Sequence, residues 1–180
     1  GLRTAAVRLA ESIGYDSTGT VEFVVDDETG EYFFLEMNTR LQVEHPVTEE
    51  ITGFDLVELQ IRAATSLPLG IAQETVTFSG HAIEVRINAE DATKDFAPQT
   101  GRIDHVQRTR GTSGRARWDS AIEPGSEITP HYDPMIAKLI VQGSSRSAAI
   151  SVLADSLEGL HISGVVTNGG FHRWLIDRPE

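Results

Sequence analysis

The chain has 180 residues, 39% of them hydrophobic and 23% charged, and no apolar run approaches the roughly 20 residues that a membrane-spanning helix requires. A formal net charge of -12, with no dense stripe of Lys and Arg, excludes a general phosphate-backbone binder, so neither nucleic acid nor a membrane is an expected partner. The absence of cysteine removes disulfides, thiolate zinc sites and cysteine nucleophiles together, and suits a reducing, cytoplasmic setting.

The first predicted element is a helix over residues 2–13, where Leu2, Ala5, Ala6, Leu9 and Ala10 keep helical spacing. That spacing is already under way at Gly1, with no initiator Met and no signal-like apolar region, so the chain reads as an excised or processed piece. An alternating run over 20–25, a polar turn over 26–30 and a second run over 32–37 predict a β-hairpin. A loop over 38–46, stopped by Pro46, leads into a helix over 48–65 in which Ile51, Leu56, Leu59 and Ala63 recur and Gly53 is tolerated. Residues 66–79 carry Pro68 and Gly70 and read as a connection, which divides the chain into domains 1–70 and 71–180.

In the second domain, strands are expected over 81–89, 102–106, 116–120 and 135–142, with helices over 146–157 and 167–176, the last opened by a capping residue and closed before Pro179. Several antiparallel-looking strands with few helices predict an α+β fold, not a doubly wound sheet.

Strand periodicity puts Val21, Phe23 and Val25 on one hairpin face with Phe33, Leu35 and Met37, a face expected to be core. A three-residue loop, Glu28-Thr29-Gly30 with Gly30 left-handed, sets Val24 opposite Phe34 and Glu22 opposite Glu36. Opposed like charges are destabilising unless a cation, a shared proton or wide solvent exposure relieves them. Two Glu and the amide of Asn38 are the oxygen ligands that Mg²⁺ takes beside substrate phosphates; an exposed acidic face is the other reading of the hairpin alone.

After the buried strand, ten positions hold Glu36, Asn38, Arg40, Gln42, Glu44 and His45. An Arg there can hold an oxyanion in a fork of donors, and a nearby carboxylate can take a proton. In residues 81–89, alternation sends Ile83, Val85 and Ile87 to one face and Glu84, Arg86 and Asn88 to the other. Arg86 alone reads as a cation paired with Glu84 or Glu90 on an exposed strand.

The run from Glu36 to Glu49, preceded by Gly19-Thr20-Val21-Glu22-Phe23, resembles the biotin carboxylase component of biotin-dependent carboxylases, in the ATP-grasp superfamily. Two further blocks extend the resemblance, Gly80-His81-Ala82-Ile83-Glu84-Val85-Arg86-Ile87-Asn88-Ala89-Glu90-Asp91 and Tyr132-Asp133-Pro134-Met135-Ile136-Ala137-Lys138-Leu139. The resemblance implies the end of an ATP-grasp domain followed by the biotin carboxylase C-terminal domain. It implies that ATP phosphorylates bicarbonate to carboxyphosphate, whose CO₂ is captured by biotin on a separate carrier domain.

By the same resemblance, Glu22, Glu36 and Asn38 would bind Mg²⁺ (or Mn²⁺) on the ATP phosphates, and Val24 and Leu35 would contact the nucleotide. Arg40, Gln42 and the N–H of Val43 would hold bicarbonate, Glu44 would be the general base, and Arg86 would steady the biotin enolate oxygen. A carboxyltransferase component and a homodimeric parent enzyme are also implied. Arg115-Ala116-Arg117-Trp118-Asp119 corresponds to a dimer-supporting region of bacterial members, although Gly114 stands where they can carry a bulky aromatic. His45 is read as a loop brace and Asp133 as a turn former.

Lys94 and Lys138 are the only lysines, neither in a Met-Lys-Met setting, and the family's glycine-rich lid is absent. The isolated chain is therefore expected not to turn over ATP. Another ATP-grasp ligase, such as a carbamoyl-phosphate synthetase half, and a non-catalytic assembly module are the competing readings.

Overall fold

A computed structural model describes residues 1–108 and 115–178 and separates into two units, Gly1–Thr77 and Phe78–Glu180. Gly114 lies outside the described residues.

The first unit runs α1 (Leu2–Ser12), β1 (Thr20–Val25), β2 (Tyr32–Asn38), α2 (His45–Thr52) and α3 (Leu56–Ala64). The β1–β2 turn is tied by Asp26, whose Oδ1 accepts from the N–H groups of Glu28 at 2.9 Å and Thr29 at 2.8 Å, while Gly30 takes the left-handed φ of 71°. Asp26 and Glu31 are already hydrogen-bonded, so the loop holds four residues, one more than expected. Near the turn, Val24 accordingly pairs with Phe33, not Phe34.

A bulge then restores the register: Phe23 pairs with Phe34 and Glu22 with Glu36, which leaves Leu35 as the extra residue. Phe23 consequently meets the rings of Phe34 and Tyr32 edge-on, in place of Phe33 and Leu35. The face expected to be core is open at its tip, with Val25 44%, Leu35 56% and Phe33 61% exposed. Within the first unit, β1 and β2 pack chiefly on each other.

The single helix expected over 48–65 is two. Gly53 adopts φ 78° and caps α2 through its N–H to the carbonyl of Glu49, and Asp55 caps α3 by accepting from the N–H of Glu58 at 2.8 Å. Pro46 occupies the first turn of α2, where its missing N–H costs nothing, so it opens the helix where it was expected only to stop the loop. Glu49 ties the pair, its buried carboxylate accepting from the N–H of Leu56 at 2.8 Å.

The second unit contains β3 (His81–Asn88), β4 (Glu90–Asp91), β5 (Ala97–Pro98), β6 (Gly101–Arg102), β7 (His105–Gln107), β8 (Arg115–Ser120), β9 (Glu127–Ile128) and β10 (Met135–Gly143). It ends with α4 (Arg146–Glu158), β11 (His161–Ser163) and α5 (Gly169–Ile176). Its centre is an antiparallel sheet in the order β3-β10-β8. Ile87, Leu139 and Val141 from the sheet meet Val152, Leu153 and Leu157 from α4 to form the buried core, with Ile83 and Val85 packed against it. Ser145 starts α4 by accepting from the N–H of Ala148.

The strand expected over 102–106 is divided between β6, which pairs with β9, and β7, which pairs with β11. Mixed helices and antiparallel strands make the fold α+β, as the patterning implied. Among the described residues no helix is long and apolar enough to cross a membrane.

Candidate active site

In the first unit the hairpin brings the two predicted carboxylates together. Nδ2 of Asn38 lies 2.8 Å from Oε1 of Glu22 and 2.9 Å from Oε1 of Glu36, and Nε2 of Gln42 donates to the same Glu22 oxygen at 2.9 Å. The electrostatic problem of facing carboxylates is thus met by amide donors. An amide presents nitrogen on one side and oxygen on the other, so a half-turn of Asn38 would set an oxygen where its nitrogen now bridges the pair. Oxygen donors converging on one point fit a hard divalent cation. Among the described residues no three His, Asp or Glu form a metal cluster, so the remaining ligands would come from elsewhere, as phosphate oxygens do for Mg²⁺.

Beyond the hairpin, the chain turns through Arg40 to Glu44 into α2. Arg40 and Glu44 are exposed, Leu41, Gln42 and Val43 half-buried. No partner of the Arg40 guanidinium is found among the described residues. His45 is the brace the sequence suggested, with its backbone N–H 3.3 Å and its Nδ1 2.8 Å from the carbonyl of Gln42. A carbonyl only accepts, so Nδ1 carries the proton there. Gln42, Glu44 and His45 also line a cleft of about 1010 Å³, together with residues 15–21, which run from a loop into β1, and apolar positions of α3. Val24 and Leu35 are both more than half exposed on the hairpin.

Arg86 belongs to the second unit and is exposed on β3, directly opposite Lys138 on β10. Lys138 Nζ lies 3.9 Å from Oε2 of Glu84, a carboxylate whose side chain is only 3% exposed. On its other flank Lys138 is in register with Asp119, which is paired with Arg117 at 2.7 Å. Asp133 makes the expected turn by accepting from the N–H of Met135 at 2.8 Å. Sequence reasoning missed Asn168 and His172, which both bond the Arg86 carbonyl. Their only visible signal is a cap-type Asn ahead of a helix.

Paired carboxylates and an amide on a hairpin, followed by an α+β unit on a three-stranded sheet, agree with what the resemblance implied, the end of an ATP-grasp domain and the domain that follows it. The family model described as "Biotin carboxylase C-terminal domain" matches residues 84–180, and "Carbamoyl-phosphate synthase L chain, ATP binding domain" matches residues 1–72. The methylcrotonoyl-CoA carboxylase subunit alpha of Oryza sativa subsp. japonica is 52% identical over 93% of this chain and 22% of its own length. The biotin carboxylase of Haemophilus influenzae is 47% identical over 92% of this chain and 36% of its own length. The biotin carboxylase domain of Hydrogenobacter thermophilus 2-oxoglutarate carboxylase, solved with MgADP, ADP and bicarbonate, superposes with a TM-score of 0.91 at 45% identity, covering 98% of this chain and 38% of that one. The chain belongs to the biotin carboxylase family, and it spans about a fifth to two-fifths of the length of these relatives.

Proposed function

We propose that these residues serve in an enzyme that uses ATP and bicarbonate to carboxylate biotin, with residues 1–70 ending its ATP-grasp domain and 71–180 forming its C-terminal domain. The observation that carries this reading is the convergence of Glu22, Glu36 and Asn38 beside Gln42, at the head of the Arg40–Glu44 loop.

In this reading Glu22, Glu36 and Asn38 hold Mg²⁺ or Mn²⁺, which supplies neutralisation of the phosphate charge when bound. Val24 and Leu35 offer apolar surface to the nucleotide. Arg40 fixes bicarbonate through its fork of donors, with Gln42 and the N–H of Val43, so that a bicarbonate oxygen attacks the terminal phosphorus of ATP and ADP departs. Glu44 takes the bicarbonate proton as that bond forms. Carboxyphosphate then separates into CO₂ and phosphate, and the phosphate can accept the proton that leaves the ureido nitrogen. Arg86 sits against the ureido oxygen and stabilises negative charge there. Biotin on a carrier domain would supply the nucleophilic nitrogen when bound, with a carboxyltransferase component as a further partner and a homodimeric parent enzyme.

The match of residues 1–72 to a carbamoyl-phosphate synthase model fits an ATP-binding segment common to both activities, whereas the match over 84–180 favours biotin carboxylase. The test is ADP release by the enzyme that contains this chain, with and without bicarbonate. Arg40→Ala is expected to raise KM for bicarbonate at least about tenfold while KM for ATP stays within about twofold. ATP cleavage that needs no bicarbonate, or an Arg40→Ala enzyme with unchanged bicarbonate KM, overturns the assignment. The purified 180-residue chain alone is expected to release no ADP.

A further inference from the structure

Among the described residues β3 is an edge strand: β10 lies on one side, and no strand lies on the other. At residues 86–88 that open edge is closed by a helix end. Asn168 is the N-cap residue of α5, the position where an Asn side chain ordinarily caps its own helix, yet it makes no such bond. Its amide bonds β3 instead. Nδ2 donates to the carbonyl of Arg86 at 3.1 Å, Oδ1 accepts from the N–H of Asn88 at 2.9 Å, and the backbone N–H of Asn168 donates to the carbonyl of Asn88 at 3.1 Å. One turn along α5, Nε2 of His172 donates to the same Arg86 carbonyl at 2.8 Å.

Asn168 therefore acts as a one-residue strand, and both lone pairs of the Arg86 carbonyl are used. Asn168 is 5% exposed, so its side-chain bonds to β3 are part-buried, whereas the bond from His172 is exposed. α5 is itself anchored, with Phe171 edge-on to Phe96 at 5.0 Å between ring centres. Fixing the peptide on the carbonyl side of Arg86 and the N–H of Asn88 fixes the direction in which the Arg86 side chain leaves the strand. That side chain is exposed, and the backbone beneath it sets where it leaves the strand.

We propose that Asn168, seconded by His172, is a positioning residue that holds Arg86 on line for the acceptor ureido group. The proposal rests on the role of Arg86 given above. It is distinct from a purely structural role because it concerns only the carboxylation half of the reaction. Phosphorylation of bicarbonate makes no use of Arg86 in that scheme, so the two halves should separate.

The test uses the enzyme that contains this chain, with free biotin as acceptor, comparing kcat for biotin carboxylation with bicarbonate-dependent ATP cleavage. Asn168→Asp keeps the shape and replaces the donor to the Arg86 carbonyl by an oxygen. It is expected to lower kcat for carboxylation by about tenfold to a hundredfold, the range of a small misalignment, with ATP cleavage within about twofold. His172→Phe, on the less buried partner, covers the case in which Asn168→Asp does not fold. It should shift the same ratio by a smaller factor, and His172→Gln, which restores an N–H, should recover most of it. Equal losses in both activities, or no loss in either, overturn the positioning role. An Arg86→Ala control separates the two layers: if it lowers the ratio while the Asn168 and His172 variants do not, the positioning role fails and the function stands. If Arg86→Ala leaves the ratio unchanged, both fail.

Discussion

Glu22 and Glu36 stand directly opposite each other across the β1–β2 ladder, with one amide nitrogen, that of Asn38, within 2.9 Å of both. The amide can relieve the repulsion, and so can a cation; the two arrangements exchange by turning one side chain. Stability and function should therefore respond in opposite directions to removal of one charge.

Glu36→Gln is expected to leave metal-free stability unchanged or raise it by about 0.2–1 kcal/mol, because a directly opposed like charge disappears. The same variant should need at least about tenfold more Mg²⁺ for half-maximal ATP cleavage, because the proposed metal site would lose a carboxylate. Thermal melting in a chelator and a Mg²⁺ titration of ADP release measure the two effects. An unchanged Mg²⁺ requirement would remove the carboxylate pair from the metal site.

Gly53 separates α2 from α3 at φ 78°, and a Cβ there would meet nothing within 4 Å. The cost of Gly53→Ala is then conformational alone, about 1 kcal/mol, and it should appear as a modest fall in Tm. A Tm equal to that of the parent would mean the helix break tolerates a side chain and that capping does not fix it.

The Asp91 carboxyl is held below its ordinary value of 3.8, chiefly by the hydroxyl of Thr93 at 2.6 Å, then by Lys94 at 3.0 Å and the N–H of Thr93. The unfolded chain therefore binds this proton more readily than the folded one. The stability it contributes is present above the unfolded value and is lost as pH falls through the lower folded value. Asp26, held down first by the N–H of Thr29, acts in the same sense in the hairpin turn. Denaturant midpoints measured from neutral pH down through that acid range should fall less steeply in Asp91→Asn than in the parent; equal slopes would contradict the linkage.

The opposed glutamates were legible because alternation and a turn signal over 26–30 are local, but they were reached through two departures that cancel. The loop is one residue longer than its composition suggested, and the bulge at Leu35 supplies the missing residue, so Glu22 still meets Glu36 although Val24 meets Phe33. A bulge has no sequence signature that alternation can detect. The break at Gly53 was readable, since Asp55 and Glu58 have the spacing of a capping motif, but the helical spacing on either side concealed it. β4, β5, β6 and β9 have two residues each, too few for any period to show. The bond from Asn168 to Arg86 spans 82 positions, and no local pattern reports it.

In the proposed function, Arg86 is the residue that would separate carboxylation of biotin from phosphorylation of bicarbonate. The decisive measurement is transfer of radiolabelled bicarbonate to free biotin by the enzyme that contains this chain, alongside ADP release, in the parent and in Arg86→Ala. The expected result is a fall in label transfer of at least about a hundredfold, the size of a lost oxyanion donor, with substantial bicarbonate-dependent ADP release retained. Label transfer at the parental rate in Arg86→Ala would contradict it.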